Sequence, residues 1–283
     1  MANLIANPMA LRGRARRAAR TLVVLALALA AASAAQAGRR CDAARPGAAT
    51  ITRAMALAQR TATALEAGYQ QGGPRVVLLA RAGQDLSRYR QHWSHAGWAY
   101  RTPKGQWRVL HKLNDCGTAS SHLMRQGLGE FFLDDLWRYE TAWMAPPANL
   151  QAALWSLLQD NRRAVAMDEP RYSMVAYAWG TRYQQSNQWA LETLALAAEP
   201  QLARREQAQA WLKLRDYRPG DLRIGALTRL GARLAAGNVA FDDHPDALRY
   251  ADRIQTVTAD SLFDWLARMT PGASPQRLAG APS

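Results

Sequence analysis

Between Ser94 and Cys116 the chain reads SHAGWAYRTPKGQWRVLHKLNDC, and no other stretch limits the fold as tightly. Residues 94–101 and 106–114 alternate as strands do, and Thr102-Pro103-Lys104-Gly105 between them carries the Pro and Gly of a turn. Two strands joined so briefly must run antiparallel, and a lone hairpin needs further strands or helices to cover its apolar side. His95 shares a face with the small residues Gly97 and Ala99, while His111 shares one with Trp107, Val109 and Leu113. A three-residue loop closed by Arg101 and Gly105 sets the two histidines directly opposite, with Cβ atoms roughly 5 Å apart; this is the expected register. A slip of one residue would separate them.

Around the hairpin the periodicity predicts helices and further strands. Ile51, Met55, Ala58, Ala62 and Leu65 recur at helical spacing over 48–70, and Val76-Val77-Leu78-Leu79-Ala80 reads as a buried strand. A short helix over 118–127, a loop with aromatic anchors over 129–135 and a strand over 139–144 are expected next. Pro146-Pro147 opens a helix with Leu150, Ala153, Leu154, Leu157 and Leu158 on one face, followed by a strand-like run over 172–179. Residues 186–198 form a helix apolar nearly all round, hence buried, and helices over 201–214, 222–236 and 261–269 follow, with a strand over 253–257. Leu227, Leu230 and Leu234 give the 222–236 helix its apolar face. The fold class expected is α+β, an antiparallel sheet packed against helices. Residues 38–200 would form the core, 201–270 a helical C-terminal extension of the same domain, and the Pro/Gly/Ala tail 271–283 would be disordered.

The first 37 residues describe a secretory signal peptide: Arg12, Arg14, Arg16, Arg17 and Arg20, an apolar run from Leu22 to Ala32, then Ala35-Gln36-Ala37. Cleavage after Ala37 would deliver a periplasmic protein without a permanent membrane anchor, and would lower the formal charge from +14 to +9 by removing five Arg and no acid. In that compartment nucleic acid is not an expected partner. Cell-wall peptide, lipid and other anionic envelope components are. Cys41 and Cys116 are the two cysteines, and an oxidising compartment would join them in a disulfide.

The runs RAGQDLSRYRQHWSHAGWAYR, VLHKLNDCGT, QGLGEFFLDDLWRYE, RYSMVAYAWGTRYQQSNQWALE and NVAFDDHP resemble an uncharacterised bacterial family, domain-of-unknown-function family 2145, over nearly the whole chain after residue 37. That family lends no established activity. A more distant resemblance does suggest chemistry. The order of a Ser-His-Ala-Gly strand, a second strand with a polar residue, and a later helix opening in Ser-Asn-Gln is similar to circularly permuted papain-like proteins of the NlpC/P60 type. The resemblance implies His95 as base, His111 as the orienting polar residue and Ser186 in the place of the nucleophilic Cys, with Gln184, Gln185 and Asn187 as oxyanion or substrate-binding donors. Serine is far less acidic than a thiol and needs an aligned base to attack. Two readings follow: a Ser-His-His hydrolase or acyltransferase acting on an envelope amide or ester, and an inactive ligand-binding or assembly protein on the same scaffold. Read without the resemblance, Ser186 or Asn187 is an ordinary helix cap.

Other clusters point to structure. Asp242-Asp243-His244-Pro245-Asp246 holds metal-ligand types, yet carboxylates before a proline make turns and caps. Glu130, Asp134 and Asp135 read as a solvated loop, and His92 and His122 have no partner at a useful spacing. With no phosphate-binding Gly loop and no C-x-x-C, no cofactor or metal is expected.

Overall fold

The structure, a computed structural model, describes residues 46–134 and 136–279. Its fold is α+β, organised on a six-stranded antiparallel sheet. Helix α1 (Ala48–Gln70) leads to β1 (Val76–Ala82), whose seven residues are all buried, as an inner strand covered on both faces must be. Then come β2 (His95–Arg101), β3 (Trp107–Asn114), β4 (Ser121–Gly127), the short helix α2 (Leu128–Phe132) and β5 (Arg138–Met144). Helices α3 (Gln151–Gln159), α4 (Asn161–Ala164), α5 (Ser186–Ala198) and α6 (Arg205–Leu214) follow. The C-terminal part holds β6 (Gly220–Arg223), α7 (Ala226–Ala235), α8 (Asp246–Tyr250), β7 (Arg253–Thr256), α9 (Ala259–Met269) and β8 (Gln276–Leu278). Strand order is β4-β3-β2-β1-β5-β8, with β6 and β7 forming a separate ribbon.

Alternation along the strands divides the core into two layers. Val76, Leu78, Ala80, Ala96, Trp98, Tyr100 and Leu110 pack against α3 and α5 through Leu154, Leu158, Trp189, Ala190 and Leu194. Val77, Leu79, Ala99, Trp107 and Val109 pack on the other face against α1 and α2, meeting Leu57, Ala58, Leu65, Phe131 and Phe132. Helix α5 is buried along all but its last residue, as its uniform apolarity predicts. Helix α1 is turned from its expected face: Ala54, Leu57, Ala58, Thr61 and Leu65 point inward, whereas Ile51 and Met55 are exposed.

The hairpin forms, in a different register. Trp98 pairs with Leu110 and Arg101 with Trp107, so His95 and His111 lie on a diagonal rather than directly opposite. Gly105 has φ +82°, the left-handed position that ends a three-residue loop, so the loop is Pro103-Lys104-Gly105 and its closing pair is Thr102 and Gln106. Moving the closing pair by one residue on each strand keeps both histidines on one face. Continuing the register sets His111 across from Gly97, where a Cβ would stand 2.6 Å from that of His111.

Four local expectations are corrected. Residues 121–127 extend the sheet as β4 instead of forming a helix, because seven successive residues pair with β3. Leu128–Phe132 is a helical turn that buries both phenylalanines, not a loop. Residues 172–179 run as turns rather than a strand; the one bridge nearby joins Arg171 to Ser120. The tail is not disordered as far as residue 279, since Gln276–Leu278 pairs with Thr141–Trp143 as an edge strand. No helix among the described residues is long and apolar enough to cross a membrane.

Candidate functional site

Pairing between β2 and β3 is regular from Arg101 back to Trp98, and beyond that point the N-terminus of α5 supplies partners to the backbone. The Asn187 side-chain oxygen accepts from the Ala96 amide at 2.9 Å, and the Ser186 hydroxyl donates to the Lys112 carbonyl at 2.8 Å. Ser186 and Asn187 therefore bond the residues immediately beside His95 and His111. Neither is the helix cap: Gln185 holds that position and accepts from the Asn187 amide at 2.8 Å. The Tyr172 hydroxyl also hydrogen-bonds Ser186.

The two imidazoles meet on the opposite side of the strands, over Phe131 of α2. His95 Nε2 lies 2.8 Å from His111 Nδ1, and His111 Nε2 lies 2.8 Å from the Gln126 side-chain oxygen. Phe131 sits edge-on beneath His111, with ring centres 5.2 Å apart, and 5.9 Å from His95. The chain of bonds fixes the tautomers, given that assignment of the Gln126 amide. The amide oxygen can only accept, so His111 donates from Nε2 and accepts at Nδ1. His95 then donates from Nε2, which leaves its Nδ1 as a bare lone pair with no hydrogen bond among the described residues. His111 is fully buried, and His95 is partly accessible.

Arg81 on β1 pairs across the strands with His95 and is itself buried. Its guanidinium donates to the Phe131 carbonyl and to the Asp134 carboxylate, while its Nε finds no partner. Burial, then the nearby Arg81 charge, then His111 hold the His95 pKa well below the ordinary imidazole value. The same first two causes lower His111 to about 3, against a smaller upward effect of the Gln126 bond. Both rings are therefore neutral near pH 7. Arg81, Gln126 and Phe131 carry no site signal in the sequence beyond an arginine within the apolar run VVLLARA, and Asp134, which reads there as part of a solvated loop, instead pairs with Arg81.

The amides expected to serve as oxyanion donors are engaged elsewhere. Gln184 donates to the Met167 carbonyl at 2.7 Å and to Glu192 at 2.6 Å, and accepts from the Glu169 amide at 3.0 Å. Gln185 donates to the Val257 carbonyl, and the Asn187 amide nitrogen also approaches that carbonyl, at 3.4 Å. Behind them Glu192 and Arg205 form a buried ion pair at 2.7 Å, with Gln209 also donating to the carboxylate. Lys112, fully buried, pairs with Asp168, and burial lowers its pKa. The structure thus brings His95 and His111 together and brings Ser186 to the strand next to them, with its hydroxyl turned to a carbonyl.

The remaining clusters are structural. Asp243 accepts from the Tyr177 amide at 2.7 Å and contacts His244 at 3.0 Å, shaping the turn into α8; no cluster fit to hold a metal occurs among the described residues. Glu130 accepts from the Gly127 amide at 2.9 Å, so it ties down the start of α2, and Asp134 serves Arg81. Asp135 lies outside the described residues. His122 meets Asp115, a partner that spacing did not reveal, and His92 Nε2 lies 3.1 Å from the Glu140 carboxylate without hydrogen-bond geometry. The signal peptide and Cys41 also lie outside the described residues, and with Cys41 the expected bridge; no free cysteine occurs among those described.

Fold and site together define an α+β protein with an imidazole pair seated between an antiparallel sheet and a short helix. The chain belongs to the bacterial family described as "Uncharacterized protein conserved in bacteria (DUF2145)", whose model matches residues 69–266. No curated protein and no solved structure matches it.

Proposed function

We propose that this protein is exported to the periplasm and binds an envelope component, such as a cell-wall peptide or an acyl chain, on a papain-like scaffold without hydrolysing it. The observation that carries this reading is the Ser186 hydroxyl, whose proton is given to the Lys112 carbonyl instead of an imidazole. Two features act in the same direction. Attack by serine requires a proton to move onto His95, and the Arg81 guanidinium disfavours the imidazolium that would result. The Gln184 and Gln185 amides that could stabilise an oxyanion already serve the surrounding backbone and Glu192.

A hydrolase or acyltransferase is the second reading. It rests on the bare Nδ1 of His95 as a proton acceptor, and it requires the strand ends to rearrange, because Ser186 and the imidazoles lie on opposite sides of the strands. Turnover of p-nitrophenyl acetate by the wild type, Ser186→Ala, His95→Ala and Ser186→Cys separates the two. Binding without hydrolysis predicts equal background rates in the wild type and both alanine variants. Wild-type turnover abolished by both alanine substitutions, with thermal stability retained, would establish the hydrolase. Ser186→Cys places a more acidic nucleophile at the same position, so a burst of acylation there alone would show that the side chain at 186 can reach a base.

A further inference from the structure

Helix α7, Ala226–Ala235, has the periodicity of a core helix and none of its burial. Leu227, Leu230 and Leu234 remain 83%, 56% and 79% exposed. On its inner side the Arg229 guanidinium pairs with Asp252 at 2.8 Å, and Ala232 packs against the small cluster of Leu222, Ile224, Phe241 and Ile254. The leucines therefore face outward because an ion pair and an alanine occupy the inner face. A ten-residue helix gains little stability from its own hydrogen bonds in water, and its leucine stripe is the surface most in need of cover.

We propose that α7 lies flat on an anionic lipid surface, with its three leucines at the acyl boundary. Charge agrees with this occupant: the helix carries no carboxylate, Arg229 is matched by Asp252, and Arg233 remains exposed beside the leucines, able to extend to a phosphate. The neighbouring carboxylates are already matched, Asp252 by Arg229 and Asp221 by Arg253 at 2.8 Å, so they do not repel a negative surface. Tyr250, 82% exposed, stands two residues before Asp252 and offers an amphipathic ring near the same end of the helix. A second copy fits less well. Three leucines present on the order of 300–400 Å² of apolar surface, about half of the ~800 Å² per partner that a stable interface buries. The site is separate from the imidazole pair and does not depend on its function.

Sedimentation with vesicles tests the proposal, using the chain from Gly38 onward so that the apolar leader is absent. Vesicles of phosphatidylglycerol with phosphatidylcholine should retain the protein, and phosphatidylcholine vesicles should retain much less. Replacing Leu227, Leu230 and Leu234 together by Gln should lower partitioning about a hundredfold or more, since each buried leucine is worth about tenfold. Arg233→Glu, which leaves the leucines in place, should weaken binding to the anionic vesicles alone and serves if the triple variant does not fold. Absence of binding by the wild type, or binding unchanged in a folded triple variant or in Arg233→Glu, would overturn the proposal. A wild-type dimer in light scattering that the triple variant turns into a monomer would assign the face to a second copy instead.

Discussion

Gly97→Ala tests the register and the imidazole pair together. The added Cβ would stand 2.6 Å from His111 Cβ, 3.0 Å from Val109 Cγ1 and 3.1 Å from the Leu110 carbonyl oxygen. None of these is the free end of a flexible chain: one is anchored to β3 at its root, one is a stiff branched methyl, and one is backbone. Relief requires β2 and β3 to part by several tenths of an ångström next to the position where α5 is already bonded to both strands. Overpacking of this kind costs about 1–3 kcal/mol, which in a domain of this size lowers Tm by about 2–4 °C for each kcal/mol.

The comparison that isolates the cause is Gly129→Ala in α2. There the new Cβ meets only the Sδ and terminal methyl of Met55, at 3.2 and 3.1 Å, on a side chain that can swing away, and alanine favours the helix. Thermal unfolding followed by circular dichroism should show a clear drop for Gly97→Ala and a change near zero for Gly129→Ala. Imidazole NMR should also show the His95–His111 hydrogen bond lengthened or lost in Gly97→Ala only. Equal Tm values for wild type and Gly97→Ala, with unaltered histidine resonances, would refute the register and the close approach derived from it.

Three further outcomes are expected. A lowered histidine pKa means that the unfolded chain binds the proton first; stability is therefore full above pH ~6.5 and falls as pH drops toward the folded value of about 3, by about 1.4 kcal/mol per pH unit for His111. Urea midpoints of the wild type should fall over that window, and His111→Gln should flatten the slope. Glu192→Ala removes the carboxylate from the buried Arg205 and should cost about 3–5 kcal/mol by denaturant titration; a loss below about 1 kcal/mol would mean that water replaces the partner. If Cys41 and Cys116 are bridged, thiol counting under denaturing, non-reducing conditions finds none free, and reduction lowers stability by about 4 kcal/mol; two free thiols would remove the bridge.

What the sequence revealed follows the distance over which each signal acts. The hairpin, the buried β1 and the buried α5 are written in local periodicity, so their positions were legible, and so was the pairing of the two histidines on one face. The register was missed because it depends on which residue takes the left-handed position, and Gly105 can close a loop from outside or end it from within. Residues 121–127 carry little apolar alternation, since β4 is an edge strand with only Ser121 buried and neither face fully covered; only its pairing to β3 makes it a strand. Helix α7 shows the opposite failure. Its leucine period is a sound helix signal, but periodicity reports that a face is apolar and says nothing about what lies against it.

The site poses the same problem in chemical terms. A histidine is read from sequence as a base because its ordinary pKa lies near neutrality, yet basicity is set by neighbours from other strands. Here the strand beside His95 contributes Arg81, and behind His111 stands the neutral amide of Gln126 where a carboxylate would raise proton affinity. Ser186 lies across the strands from that weak base, with its hydroxyl given to the Lys112 carbonyl, and so gains nothing from it. The serine present is suited to a fixed hydrogen bond from α5 to the Lys112 carbonyl, which holds the strand carrying His111 against the helix.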